Sequence, residues 1–310
     1  VKAYYSDHFV LPLPAGHRFP MAKYRLLRER IAAELPGIDL QVPEAATDGV
    51  LALGHTPDWI ERLTLGRLTP LEQRAIGFPW SPAMVERSRR SVGATVAACR
   101  AALADGAAVN LAGGTHHAGA DRGEGFCCLN DVAVAARLMQ AERRARRVAI
   151  IDLDVHQGNG TAEILRGDPS VFTLSIHGAR NFPFRHRCAG DLDVDLPDAT
   201  GDAAYLEALE AALGGLARRF EPDLLIYLAG ADVFEGDRLG RLALTKPGIV
   251  ARDARVFAFA RERGLPVAVA MGGGYCNQVG QVVDIHLATV RAALAHRSGC
   301  RAAPVAVAGS

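Results

Sequence analysis

Short apolar runs alternate with longer stretches of helical period along most of the chain. The runs at 107–111, 148–152, 171–176, 224–228 and 267–271 are bounded by Gly, Asp or Pro and predict strands. Val148-Ala149-Ile150-Ile151 shows no in–out alternation, so both of its faces are covered, as in a parallel sheet. Helices are predicted over 82–103, 129–141, 203–219, 247–263 and 278–295. Ser81 stands at the N-cap of the first of these and Pro82 at its first helical position. The N-terminal quarter is less regular, with short helices expected over 21–35 and 57–63 among Pro-rich turns. Strand–helix alternation implies right-handed crossovers and a doubly wound α/β sheet.

In such a sheet ligands bind beyond the carboxyl ends of the strands. Each of the five runs ends in chemistry. Gly113-Gly114-Thr115-His116-His117 follows the first, and Asp152-Leu153-Asp154-Val155-His156 closes the second. His177 follows the third, Gly230-Ala231-Asp232 the fourth, and Gly272-Gly273-Gly274-Tyr275 the fifth. Asp152, Asp154 and His156 alternate, so an extended chain turns all three to one side. An apolar strand that runs into these groups buries charges that need partners, and zinc is the economical one. Catalytic zinc takes three protein ligands from imidazole and carboxylate, with one open position. Asp154, His156 and Asp232 supply three. The pair His116-His117 beside them suits acid–base work, with Asp152 placed to orient one ring. A glycine run that brings Tyr275 near a metal suits oxyanion stabilisation. The same run lacks the GxGxxG spacing of a phosphate loop.

Composition narrows the classes. Of 310 residues, 49% are apolar and 22% charged, enough for a large core and too apolar for disorder. The formal net charge is +1, which calls for neither nucleic acid nor an anionic membrane as partner. The basic run Arg143, Arg144, Arg146 and Arg147 reads as a solvated helix end. No stretch has the length of a membrane span, and residues 1–10 lack the apolar block of a secretory signal. The six cysteines form no CxxC pair, so buried free thiols in a reducing cytoplasm are expected, and no sulfur-ligated zinc.

Taken in order, GGTHHAGADRGEGFCCLND, IDLDVHQGNG, LAGADVFEGDRLG and GGGY resemble the histone deacetylase branch of the arginase/deacetylase superfamily over residues 15–290. GHRFPMAKY and SIHGARNFPF give the likeness a bacterial or class IV-like flavour. The resemblance implies one catalytic domain over 1–310 with an eight-stranded, mostly parallel sheet. It implies a deacylase that removes an acetyl or longer acyl group from lysine in protein or peptide, or from acetylpolyamines and other small acylated amines. Asp154, His156 and Asp232 match the ligands of one zinc ion. His117 matches the general base, His116 the imidazole held by Asp152, and Tyr275 the transition-state tyrosine. Gly125, Phe126, Phe182 and Gly273 match the acyl tunnel, and Arg18 and Cys127 its floor. A structural potassium ion is implied at Asp152, Asp154, His156, Ser175 and Ile176. The pattern fixes no oligomeric state.

Three departures stand out. The partner of His117, acidic in many members, is Asn159, whose neutrality favours His117 as a base. Residues 72–80 hold no acidic residue like the one that grips the peptide backbone in several members, and Phe78 and Trp80 are expected to form an apolar rim instead. The loop after His177 is short, which predicts an open mouth. Glu124 and Glu235 keep an acidic, polyamine-selecting entrance open. Two alternatives are set aside. A two-manganese arginase-type site needs carboxylates where Gly158 and Phe234 stand, and a non-catalytic acyl-lysine reader would lack the His pair, a ligand or the tyrosine.

Overall fold

The computed structural model describes residues 1–9, 11–14 and 16–299. Eight strands form one sheet: β1 (Lys2–Tyr4), β2 (Asp39–Gln41), β3 (Ala107–Asn110), β4 (Val148–Asp152), β5 (Val171–Gly178), β6 (Leu192–Leu196), β7 (Leu224–Gly230) and β8 (Val267–Gly272). Their order is β2-β1-β3-β8-β7-β4-β5-β6, and every pairing is parallel. From β4 the chain moves outward through β5 and β6, then returns to lay β7 on the other side of β4. That reversal opens the crevice where such sheets bind ligands.

The helices are α1 (Ala22–Glu34), α2 (Asp48–Leu51), α3 (Pro57–Leu65), α4 (Pro70–Ile76), α5 (Pro82–Asp105), α6 (Asp131–Ala141), α7 (Asn159–Leu165), α8 (Asp202–Arg219), α9 (Lys246–Glu262) and α10 (Val279–Gly299). Ala149 and Ile151 face a core shared with α1, α8, α9 and α10, while Val148 and Ile150 face one shared with α5, α6 and α7. This two-sided burial is what the uniformly apolar run encodes. A third apolar cluster gathers Trp59, Ile76, Phe78 and Met84 from the N-terminal region.

The five predicted strands and the longer helices stand within a few residues of expectation. The sheet has the eight strands that the resemblance implies, but the apolar runs did not mark β1, β2 and β6, nor the helical period α2, α4 and α7. The first two strands are three residues each, and β6 is an edge strand laced with Asp193 and Asp195. Helix α4 carried a readable start: Thr69 and Glu72 form a capping box around Pro70, and Gly77 closes the helix in the left-handed conformation. The five described cysteines are buried and free, and Cys300 lies outside the described residues. Among the described residues no helix is long and apolar enough to cross a membrane.

One buried ion pair braces the rim. Arg252, on α9, is fully buried. It donates to the carbonyls of Leu153 at 3.2 Å and Gly230 at 2.6 Å, where β4 and β7 finish. Its Nε donates to Asp253 at 2.9 Å, which also accepts from the Tyr227 and Thr289 hydroxyls at 2.6 Å each. Arg252→Met should cost about 3–5 kcal/mol, because it strands the Asp253 carboxylate without its cation. Urea denaturation reads this, and a loss below about 1 kcal/mol would remove Arg252 from the framework of the rim.

Candidate active site and metal centre

Past β4 the chain turns so that Asp154 and His156 face Asp232, two residues beyond β7. One ligand atom from each lies within 4.8 Å of the others, and all three residues are buried. Asp154 Oδ1 lies 2.8 Å from His156 Nδ1 and accepts from the His156 N–H at 2.9 Å. Asp232 Oδ1 accepts from the Val155 N–H at 3.0 Å. Its Oδ2, 3.3 Å from His156 Nδ1, is buried with no hydrogen bond. Burial alone would lower the His156 imidazole, but the Asp154 and Asp232 carboxylates raise it to about 10. Burial, with the charge of Asp154, pushes Asp232 up to about 6. Two carboxylates facing one imidazole, with an orphaned oxygen among them, fit a divalent cation.

Gly273 touches the same cluster. Its φ is +58°, and a Cβ there would come within 2.2 Å of the Asp232 carboxylate, so only glycine lets the turn before Tyr275 pass the ligand. The Tyr275 N–H donates to Asp237 at 2.6 Å, and the Tyr275 carbonyl accepts from Arg238 at 2.6 Å. Burial, together with the negative charge of Asp232 and Asp154, holds the phenol well above its ordinary pKa, so it stays a proton donor.

The two histidines are set apart by their neighbours. His116 Nδ1 lies 2.6 Å from Asp152 Oδ2, and its Nε2 lies 3.8 Å from Asp154. Burial would lower it, but these carboxylates raise it to about 9. His117 moves the other way, because burial and the positive charge of His116 and His156 hold it well below the usual imidazole range. His117 Nδ1 lies 2.7 Å from Asn159 Oδ1. The Asn159 amide donates to Glu124 at 2.7 Å and to the His186 carbonyl at 2.9 Å. Two acceptors claim the amide hydrogens, so Oδ1 faces His117, which must carry its proton on Nδ1 and leave Nε2 free to accept.

A family model, the histone deacetylase domain, matches residues 17–290. The chain belongs to the histone deacetylase family. An uncharacterised protein of Picosynechococcus sp. is 43% identical over 93% of this chain and 97% of its own length. Histone deacetylase 2 of Arabidopsis thaliana is 39% identical over 75% of this chain, and the match spans 62% of that protein. A crystal structure of a histone deacetylase homologue complexed with SAHA superposes with a TM-score of 0.81 at 26% identity, covering 94% of this chain and 84% of that one.

Two cavities meet at this deacetylase-family site. The outer one, about 530 Å³, and an inner one, about 70 Å³, share His117, Gly125, Phe126, His156 and Tyr275 in their walls. Phe182 stands edge-on to His117 with ring centroids 4.7 Å apart, and Phe126 lies 5.9 Å from the Tyr275 ring. Phe126 holds φ +66°, fixed by its N–H donating to the Ile76 carbonyl at 2.8 Å, at the end of α4. Cys127 lines the inner cavity. Asp152 and Ser175 stand opposite one another on β4 and β5, with Ile176 next along the strand. The Ser175 hydroxyl lies 2.9 Å from His177 Nδ1.

Several expectations need correction. Arg18 is not at the pocket floor. It is exposed at the outer cavity, with its guanidinium 5.7 Å from the Phe126 ring. The buried Lys23 braces the glycine turn instead, donating to the carbonyls of Gly273 and, at 3.3 Å, Gly274. Phe78 and Trp80 form no outer rim. Phe78 packs behind Phe126 on the inner cavity, and Trp80 covers Gly66 while its indole donates to the Leu63 carbonyl at 2.8 Å. Glu124 is buried behind Asn159, and Glu235 is not among the residues that line the outer cavity, so neither makes that lining acidic.

Asn130 and Asp131, at the end of the stretch that carries the His pair, have a structural part that their sequence alone does not reveal. Asp131 accepts from the N–H groups of Gly114 at 3.1 Å and Thr115 at 2.8 Å, and Asn130 donates to the Ala118 carbonyl at 3.0 Å. Together they hold the turn that carries the histidines. Asn159→Ala should strand the buried His117 N–H and take one of the two hydrogen-bond partners of the Glu124 carboxylate, destabilising the fold by about 1–3 kcal/mol. Chemical denaturation measures the cost, and wild-type stability would show that this relay holds nothing in place.

Proposed function

We propose that this chain hydrolyses the amide between an acyl group and the side-chain amine of lysine, acting as one catalytic domain with a single zinc ion. The buried triad Asp154, His156 and Asp232, with its unsatisfied carboxylate oxygen, carries the reading. Bound there, zinc would supply a Lewis acid for the acyl carbonyl and for the attacking water.

The chain's own residues provide the rest. His117, neutral and with Nε2 free, takes the proton of the attacking water and returns it to the departing amine. His116, paired to Asp152, keeps positive charge beside the carbonyl as negative charge develops there. The Tyr275 phenol donates to the same oxygen, aimed by the Asp237 and Arg238 contacts on either side of its backbone. Phe126 and Phe182 clasp the acyl-lysine stem and exclude water, Gly125 leaves it room beside His117 and Phe182, and Gly273 lines the inner end of the tunnel. The inner cavity beside Cys127 takes the acyl end.

The reading includes a potassium ion held through Asp152, Asp154, His156, Ser175 and Ile176. It is supported by the family likeness and by the pairing of Asp152 with Ser175.

Elemental analysis of the purified chain should return about one zinc per chain, and His156→Ala should lose it. Full occupancy in that variant would mean the ligand set is wrong. Tyr275→Phe should keep its metal yet lose on the order of 10²-fold in turnover of an acetyl-lysine peptide. Unimpaired turnover would take the phenol out of the chemistry.

A further inference from the structure

The outer cavity has a distinctive charge. Arg18, Arg74, Arg180, Arg238 and Arg241 line it, and among the described residues no Asp or Glu does. They come from separate segments: ahead of α1, within α4, after β5 and after β7. All five are exposed. Elsewhere on the surface arginine is commonly matched, as Arg62 is by Asp58 and Glu72, or Arg122 by Glu163. At the mouth only Arg241 has a carboxylate, Asp198 at 3.3 Å. Arg238 donates to backbone carbonyls alone, those of Tyr275 at 2.6 Å and Arg18 at 3.0 Å. Arg18 leans on the Phe126 ring, and Arg74 and Arg180 make no ion pair among the described residues.

Glu124 and Asp237, each beside a residue of the lining in sequence, are committed to other partners. Glu124 is engaged by Asn159 and His186, and Asp237 by the backbone N–H groups of Leu239, Gly240 and Tyr275. The chain as a whole is +1, so this charge is local and not a property of the surface at large. A lone exposed arginine is ordinarily just solvated. Five around one concavity, four of them without a carboxylate, focus a positive potential on whatever enters.

We propose that this mouth selects acylated amines flanked by negative charge, and specifically an acyl-lysine with Asp or Glu beside it. The proposal rests on the deacylase reading above and names its substrate class. The same field disfavours acetylpolyamines and lysine-rich tails, whose remaining cations would stand among the arginines. Complementary charge here acts on encounter and orientation, so the preference falls as salt rises.

The test uses peptides sharing one central acetyl-lysine and differing only in flanks of Asp, Asn or Lys, with acetylputrescine as a fourth substrate. Asp and Asn are nearly isosteric, which separates charge from shape. At low salt kcat/KM should be about tenfold higher for the Asp peptide than for the Lys peptide, with Asn between and acetylputrescine lowest. Added sodium chloride should compress the series. Arg74→Gln with Arg180→Gln should narrow the Asp-to-Lys ratio. A ratio near unity, a preference for Lys flanks or acetylputrescine, or a ratio untouched by the double variant would overturn the proposal. Affinities of the same peptides by fluorescence anisotropy keep the two readings separate. Absence of turnover for every substrate sinks the deacylase reading, whereas equal affinities across the flanks sink the charge selection.

Discussion

Three ionisable side chains are forced together where neighbouring strands finish, all of them buried. Asp154, His156 and Asp232 could not rest there as a bare cluster without severe electrostatic cost, and one Asp232 oxygen has no hydrogen bond. Much of the surrounding structure serves that convergence. Parallel pairing brings β4 and β7 side by side so that their ends face each other. Arg252 ties the carbonyls of those ends from behind, and Gly273 leaves out a Cβ that would strike the Asp232 carboxylate.

The second level of organisation is the contrast between adjacent histidines. His116 sits against two carboxylates and is raised, while His117 sits against an amide and two positively charged rings and is lowered. Sequence neighbours thus acquire opposite protonation through what packs on them. Asn159 matters because it is neutral and cannot rotate: its amide hydrogens are committed to Glu124 and the His186 carbonyl. The negative charge of Glu124 is kept one hydrogen bond further from His117 than a direct carboxylate partner would be.

The third level is the division between a small polar inner cavity and a wider outer one. They meet at the rings of His117, Phe126, His156 and Tyr275. In the proposed reaction the chemistry belongs to the junction, and the arginine-lined mouth would meet what flanks the reacting group.

Patterning along the chain was enough to determine the α/β class, the five central strands and the strand ends that matter, because buried parallel strands leave long apolar runs and their termini leave ionisable residues. Local motifs were enough to pick out Asp154, His156, Asp232, the His pair and Tyr275, since each sits in a short stretch whose residue order encodes its turn. What no local pattern carried was anything assembled from distant segments. Lys23 reaches the glycine turn some 250 positions away, a contact that helical period on α1 does not announce. Arg18 and Trp80 took other places because exposure and packing are decided by the neighbours each segment meets. The charge of the mouth is the clearest case: the chain is nearly neutral in sum, and only folding gathers five arginines from separate loops and a helix end while committing Glu124 and Asp237 to other partners.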